Sequence, residues 1–355
     1  MAGPRKSWER RGVTAIPVIA LTGYLGAGKT SLLNHVLRRP GARIGVVIND
    51  FGELNVDAGL VTGQVDEPAS IAGGCICCLP DDGGLDEALT KLADPRLNLD
   101  AIIVEASGLA EPVAVSRLIR FSGVERIRYG GVVDVIDAAR HFETVDRGGM
   151  APARYGAASL VVVNKLDQIS PTDRDSVWER IETRIRESHP DAHIVGAVAG
   201  RIDPALLYDV ADTEADSGQL SFRELLLDNH SATETNGNHD HQHAASVTVT
   251  SAGCIDPSAV FDLLEDPPPG VYRLKGTVAV RYRGGVRSYA ANVVGTSVHV
   301  APATPGAHDN ALVAIGTGID IDRVRVAMTA ALQPIDGPAP AAGVRRLQRH
   351  RRLSI

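Results

Sequence analysis

Aromatic residues are scarce, 4% of a 355-residue chain, so the core must be built mainly from Val, Ile, Leu and Ala. Cysteine is scarcer: there are four, and three of them fall in Cys75-Ile-Cys77-Cys78. A disulfide scaffold would spread its cysteines along the chain, so this clustering excludes that class and indicates a metal or redox site. No run approaches the ~18 apolar residues of a membrane-spanning helix. The basic opening, residues 1–14, lacks the apolar segment of a secretory signal. Positive charge is not in excess either; the formal net charge of −7 argues against a general nucleic-acid binder. These absences predict a cytoplasmic globular protein with no membrane and no specific nucleic-acid partner. The length suggests about two domains.

What is present begins with Ile16–Leu33, an apolar strand, a glycine turn and the start of a helix. Gly23-Tyr-Leu-Gly26-Ala27-Gly28-Lys29-Thr30 fits G-x-x-x-x-G-K-S/T, the phosphate-binding loop. Its glycines let backbone N–H groups form an anion nest, and the following helix aims its positive end at the same phosphates. Lys29 reaches the β- and γ-phosphates, and the Thr30 hydroxyl suits a Mg²⁺ shell. The competing explanation is a chance glycine-rich turn, which the apolar and amphipathic flanks disfavour.

Further buried strands follow at 43–48, 100–104, 131–136, 159–163 and 193–198. The strand at 43–48 delivers Asn49-Asp50-Phe51-Gly52-Glu53, carboxylates where parallel sheets hold ligands and where a nucleotide-sensing switch belongs. The strand ending at Val104 delivers Glu105-Ala-Ser107-Gly108-Leu-Ala-Glu111-Pro112. An acid directly after an apolar strand is placed to order Mg²⁺, which casts Glu105 beside Lys29 and Thr30 in the catalytic set. Gly108 is placed to approach the γ-phosphate. After another strand comes Asn164-Lys165-Leu166-Asp167, the N-K-x-D pattern. A carboxylate at its fourth position accepts from guanine N1–H and the exocyclic amine, a pattern adenine lacks, so the expected nucleotide is GTP.

Cys75, Cys77 and Cys78 sit in a loop bounded by Gly73-Gly74 and Pro80. Thiolates favour Zn²⁺, Cu(I) or Fe–S over Mg²⁺, and three of them leave a fourth ligand to be found elsewhere. A redox switch and three packed structural cysteines are the alternatives. Residues 228–244 are polar and histidine-dense; His239, His241 and His243 alternate, a tract that either binds a transition metal loosely or is a plain spacer.

The expected fold is α/β: a P-loop NTPase domain (15–227) with a mostly parallel sheet flanked by helices, then the His-rich linker. A smaller α+β domain (245–332) with a mainly antiparallel sheet follows. Residues 1–14 and the arginine-rich 333–355 are expected to be disordered. Cys254 reads as a packed small residue.

Taken together, G-Y-L-G-A-G-K-T, N-D-F-G-E, G-G-C-I-C-C, E-A-S-G-L-A-E-P and N-K-L-D, in that order, resemble the CobW family of P-loop GTPases, metallochaperones and metal insertases. The resemblance runs over nearly all of residues 16–332. It implies phosphate contacts from Gly26 to Ser31, Mg²⁺ at Thr30 and guanine at Asn164 to Asp167. It also implies a cargo metal at Cys75, Cys77 and Cys78, with Glu53 coupling nucleotide state to metal. Zn²⁺ is the expected cargo and a client apo-metalloprotein the expected partner. Co²⁺ for cobalamin synthesis, Fe²⁺ for a nitrile-hydratase-type enzyme, or a GTP-gated zinc store without transfer are the alternatives. No residue presents itself to orient the attacking water, so slow intrinsic turnover is expected. Homo-oligomerisation is left open.

Overall fold

In the computed structural model the described residues are 15–38, 42–49, 85–108, 110–148, 152–208, 244–303 and 309–354. The first part alternates strands with helices: β1 (Ile16–Gly23), α1 (Lys29–Leu37), β2 (Ile44–Asn49), α2 (Leu85–Leu92), β3 (Ala101–Ala106) and α3 (Pro112–Arg120). It continues with β4 (Ile127–Asp137), α4 (His141–Thr144), β5 (Leu160–Asn164), α5 (Arg174–Arg186) and β6 (His193–Gly196). The six strands form one parallel sheet in the order β2-β3-β1-β4-β5-β6. Helices cover both faces, so β1, β3 and β5 are buried along their whole length. That double burial is why each reads as an unbroken apolar run rather than an alternating one.

The order puts β1 at the middle, with β3 on one side and β4 on the other. Everything β1 delivers at its carboxyl end therefore meets what β3, β4 and β5 deliver. On one sheet face Leu32, Leu33 and Val36 of α1 pack on Ile19, Leu21, Val133 and Val162. On the other, Leu89 and Leu92 of α2 and Val115 and Ile119 of α3 pack on Val18, Ala20, Ile102 and Val104.

The second part has β7 (Ala245–Ser251), α6 (Pro257–Glu265), β8 (Val271–Tyr282), β9 (Gly285–Val294), β10 (Ser297–Ala303), β11 (Asn310–Gly316), α7 (Ile321–Ala331) and α8 (Ala341–Leu353). Its strands form an antiparallel sheet in the order β10-β9-β8-β11-β7. Side chains of Asp256 and Asp320 cap α6 and α7 by accepting from Ser258 N and Arg323 N, contacts worth about 1 kcal/mol each. Cys254 is buried, as expected of a packed residue. The two parts touch directly. Tyr272 stacks on His193 with ring centres 4.9 Å apart, and Arg273 Nη1 donates to Ala205 O at 3.0 Å.

One expectation is overturned. The arginine-rich end is not disordered: α8 packs on α6, with Leu347 fully buried and the His350 ring stacked on Phe261. Arg346 reaches Asp262 and Glu265, and His350 reaches the same Glu265. Arg346, then His350, draws the Glu265 carboxyl down to about 2. Arginine density alone suggested solvation, but a helix forms where a tertiary face receives it. Leu347→Ala should therefore cost about 2–4 kcal/mol, read by chemical denaturation of the full chain; an unchanged midpoint would return this segment to the status of a tail.

No helix among the described residues is long and apolar enough to cross a membrane.

Candidate functional site

The loop from β1 to α1 is shaped by glycine. Gly28 precedes the helix in a left-handed conformation (φ 105°), and a Cβ there would collide with the Asn164 amide. That approach is the reason for glycine: the loop lies directly against β5. Lys29, buried in the first turn of α1, donates from Nζ to Gly23 O at 3.0 Å and so spans the loop. Beside it Thr30 Oγ1 donates to Glu105 Oε1 at 3.1 Å. Parallel register of β1 and β3, which sets Leu21 against Glu105, brings those two together.

A buried carboxylate and a hydroxyl at this spacing are hard oxygen donors, the set that suits Mg²⁺, which keeps several waters and takes one or two protein ligands. Glu105 and Thr30 thus fit the ion the sequence implied.

Asn164, also fully buried, joins two loops. Its Nδ2 donates to Ala27 O at 2.9 Å, and its Oδ1 accepts from Gly200 N at 2.9 Å. Gly200 lies against the first turn of α1; a Cβ on it would stand 2.5 Å from Leu32 N. The segment after β6 is therefore tied to the phosphate loop through one amide. Lys165 follows in a left-handed conformation (φ 64°), and Asp167 is exposed in the short 3₁₀ turn Leu166–Gln168. Gly108 presses on the phosphate loop from the β3 side, since a Cβ there would stand 2.8 Å from Leu25 N. Ala27 is buried and Ser31 exposed on α1. Glycines 23, 26, 28 and 108, Lys29, Thr30, Glu105 and Asn164 are thus assembled around one loop.

The remaining expected residues, the switch-loop carboxylates and the metal-binding thiols and histidines, are not described. Asp50, Glu53, Cys75, Cys77, Cys78, His239, His241 and His243 lie outside the described residues. Among the described residues no group of His, Cys, Asp and Glu is arranged to hold a metal ion.

Two buried clusters beside the site were not read from the sequence. Asp134 of β4 accepts from Thr22 Oγ1 at 2.9 Å, from Arg154 Nη2 at 2.7 Å and from Arg154 Nε at 2.9 Å. It locks β1 to β4 immediately before the phosphate loop. Farther out, Tyr155 donates to Asp146 Oδ2 at 3.2 Å, so His141 Nε2–H donates to the Tyr155 oxygen at 2.5 Å. His141 Nδ1 then has no partner among the described residues. Both neutral and charged imidazole could make that bond; burial is what favours the neutral ring, and desolvation holds the His141 pKa at about 4. Burial, then nearby arginines, lowers His193 and His299 similarly, to about 4.

Each of these three histidines must charge in acid when the chain unfolds. The folded values lie below the unfolded 6.5, so their contribution is fully present above pH 6.5 and is lost as pH falls toward 4. Each should have lost about 2 kcal/mol by pH 5. A denaturation midpoint independent of pH between 7 and 5 would contradict this.

The family model described as CobW/HypB/UreG, nucleotide-binding domain, matches residues 17–195, and the cobalamin synthesis protein cobW C-terminal domain matches residues 244–332. The chain is 29% identical over 297 residues to a zinc chaperone CobW of Sinorhizobium sp, covering 74% of this chain and 80% of that one. It is 31% identical over 201 residues to the zinc chaperone YjiA of Escherichia coli, covering 55% of this chain and 61% of that one. A crystal structure of Zn(II)-bound YjiA GTPase from E. coli aligns over 90% of this chain and all of that chain, at 20% identity and a TM-score of 0.39. The family models matching residues 17–195 and 244–332 place this chain in the CobW/HypB/UreG family of P-loop GTPases.

Proposed function

We propose that this chain is a GTP-hydrolysing zinc chaperone. It binds Zn²⁺ through Cys75, Cys77 and Cys78 and passes it to an apo-metalloprotein when GTP is hydrolysed. The convergence of Lys29, Thr30, Glu105 and Asn164 at the carboxyl ends of β1, β3 and β5 carries the nucleotide half of this reading. The zinc half is supported by thiolate chemistry and by the relatives named zinc chaperones.

Catalysis in such a site is positioning and charge neutralisation. Lys29 exchanges its bond to Gly23 O for phosphate oxygens, so the loop's own contact marks where the nucleotide enters. Thr30 and Glu105 would hold Mg²⁺, which supplies positive charge to the phosphates. Asn164 keeps the loop in shape, and Asp167 accepts from the two guanine donors. With no residue assigned to the attacking water, intrinsic turnover is slow. Gly108, packed against Leu25, is where the segment after β3 senses the state of the phosphate loop. The zinc-loaded chain acts in the cytoplasm.

The cargo assignment is tested by competition among Zn²⁺, Co²⁺ and Fe²⁺ for the full chain and for its Cys75→Ser/Cys77→Ser/Cys78→Ser variant. Zinc is expected to be held tightest by the parent and at least a hundredfold more weakly by the variant. Equal affinity of the two proteins would remove the thiolates from the account, and preference for Co²⁺ or Fe²⁺ would replace the cargo.

A further inference from the structure

The last residue of β4, Asp137, stands beside Asn164 in the sheet, at the start of the guanine motif. Its carboxylate is committed on both oxygens. Oδ1 accepts from Ala139 N at 3.0 Å and Arg140 N at 3.3 Å, and Oδ2 accepts from Lys165 Nζ at 2.6 Å. The Lys165 and Asp137 side chains are 24% and 11% exposed, so solvent competes little for the pair. One residue on, Ala138 N donates to Asn164 O at 2.9 Å. The turn after β4 and the turn after β5 are thereby joined twice.

What this joint holds is unusual backbone. Lys165 is left-handed, a region that a residue with a Cβ enters only when its surroundings require it. The reversal at Lys165 lets Asn164 point into the phosphate loop while the next turn presents Asp167 outward. Leu166 N donates to Ala197 O at 3.3 Å on the far side of the same turn. Lys165 is thus the residue between the amide that shapes the phosphate loop and the carboxylate expected to read the base. A flexible lysine there would have to be ordered by every nucleotide that binds. One whose ammonium is already anchored on a pre-oriented carboxylate does not, and affinity gains from that preorganisation.

We propose that Asp137 is a positioning residue for the guanine site: by anchoring Lys165 it fixes the turn that presents Asp167. The inference rests on the guanine-binding reading above. It goes beyond that reading by assigning part of base affinity to a residue outside the N-K-x-D motif. Because Lys29, Thr30 and Glu105 handle the phosphates separately, the effect belongs to nucleotide affinity and not to the hydrolytic step.

Asp137→Asn keeps an oxygen for the turn amides and removes the charge that Lys165 meets. The dissociation constant of a fluorescent GDP analogue and KM for GTP should both rise about tenfold, with kcat at saturating GTP within about twofold of the parent. Asp137→Glu should recover part of the loss. Adding Lys165→Met to Asp137→Asn should cost no more than the larger single change. If Asp137→Asn does not fold, Lys165→Met alone removes the same contact from the other side and should give the same rise. An unchanged dissociation constant, or a fall in kcat with KM unmoved, would overturn the proposal. Asp167→Asn is the separate control for the guanine reading, since the Asn amide can donate to the C2 carbonyl of xanthine. If it fails to shift preference toward xanthine nucleotides, the guanine reading falls. If it shifts preference while Asp137→Asn and Lys165→Met leave GDP binding unchanged, only the role of Asp137 falls.

Discussion

Lys29→Ala is expected to lower GTP hydrolysis by about 10²–10³-fold in single-turnover conditions. Nothing else described in the loop brings a mobile cation to the phosphates; the neighbouring donors are backbone N–H groups and the Thr30 hydroxyl. The lysine is buried at the first turn of α1 and already reaches across the loop to Gly23 O. Its loss removes charge where charge develops in the transition state, and leaves the sheet and core untouched. Thermal stability should therefore move little while turnover collapses. Undiminished turnover in a folded Lys29→Ala protein would dissociate this loop from the chemistry.

Asn164→Ala is expected to produce the second large effect, by a different route. Two buried backbone groups, Ala27 O and Gly200 N, lose their partner at once. Leaving both unsatisfied should cost about 2–4 kcal/mol, shared between global stability and the order of the phosphate loop. Nucleotide affinity should fall by about tenfold to a hundredfold in consequence. Asn164→Asp discriminates the two contacts. It can still accept from Gly200 N, but it turns a carboxylate toward Ala27 O, so it should impair nucleotide binding at least as strongly as alanine while sparing the loop after β6. Isothermal titration with GDP, paired with denaturation, separates these outcomes. Full affinity in Asn164→Ala would mean the phosphate loop holds its shape unaided.

These two residues were legible in the sequence because their chemistry is local. A phosphate loop needs its glycines, lysine and threonine in one short run, and guanine reading needs Asn164 and Asp167 in another. The parallel strands were legible for a related reason: double burial writes an unbroken apolar run. The partnerships between motifs were not legible. Asn164 meets Ala27 across 137 positions, Lys165 meets Asp137 across 28, and Arg154 meets Asp134 across 20. Strand order decides those pairings, and no periodicity in β4 or β5 announces that the two strands are neighbours. In the sequence Asp137 is simply the residue after the apolar strand at 131–136. The same holds for α8, whose arginines looked like a solvated tail until Asp262 and Glu265 of α6 supplied partners and Leu347 a buried face.

The nucleotide site is proposed to act as the timer for a metal site, so the most direct measurement follows both in one sample. The zinc-loaded chain is mixed with a chromogenic zinc acceptor of moderate affinity and with Mg²⁺. Zinc transfer and phosphate release are then recorded after addition of GTP, a non-hydrolysable GTP analogue or ATP. The expected result is transfer that accelerates with GTP in step with phosphate release, and does so neither with the analogue nor with ATP. It should vanish in Lys29→Ala and in the triple Cys→Ser variant. Zinc that stays on the protein through complete GTP hydrolysis, or leaves at the same rate without nucleotide, would contradict the coupling of hydrolysis to metal release.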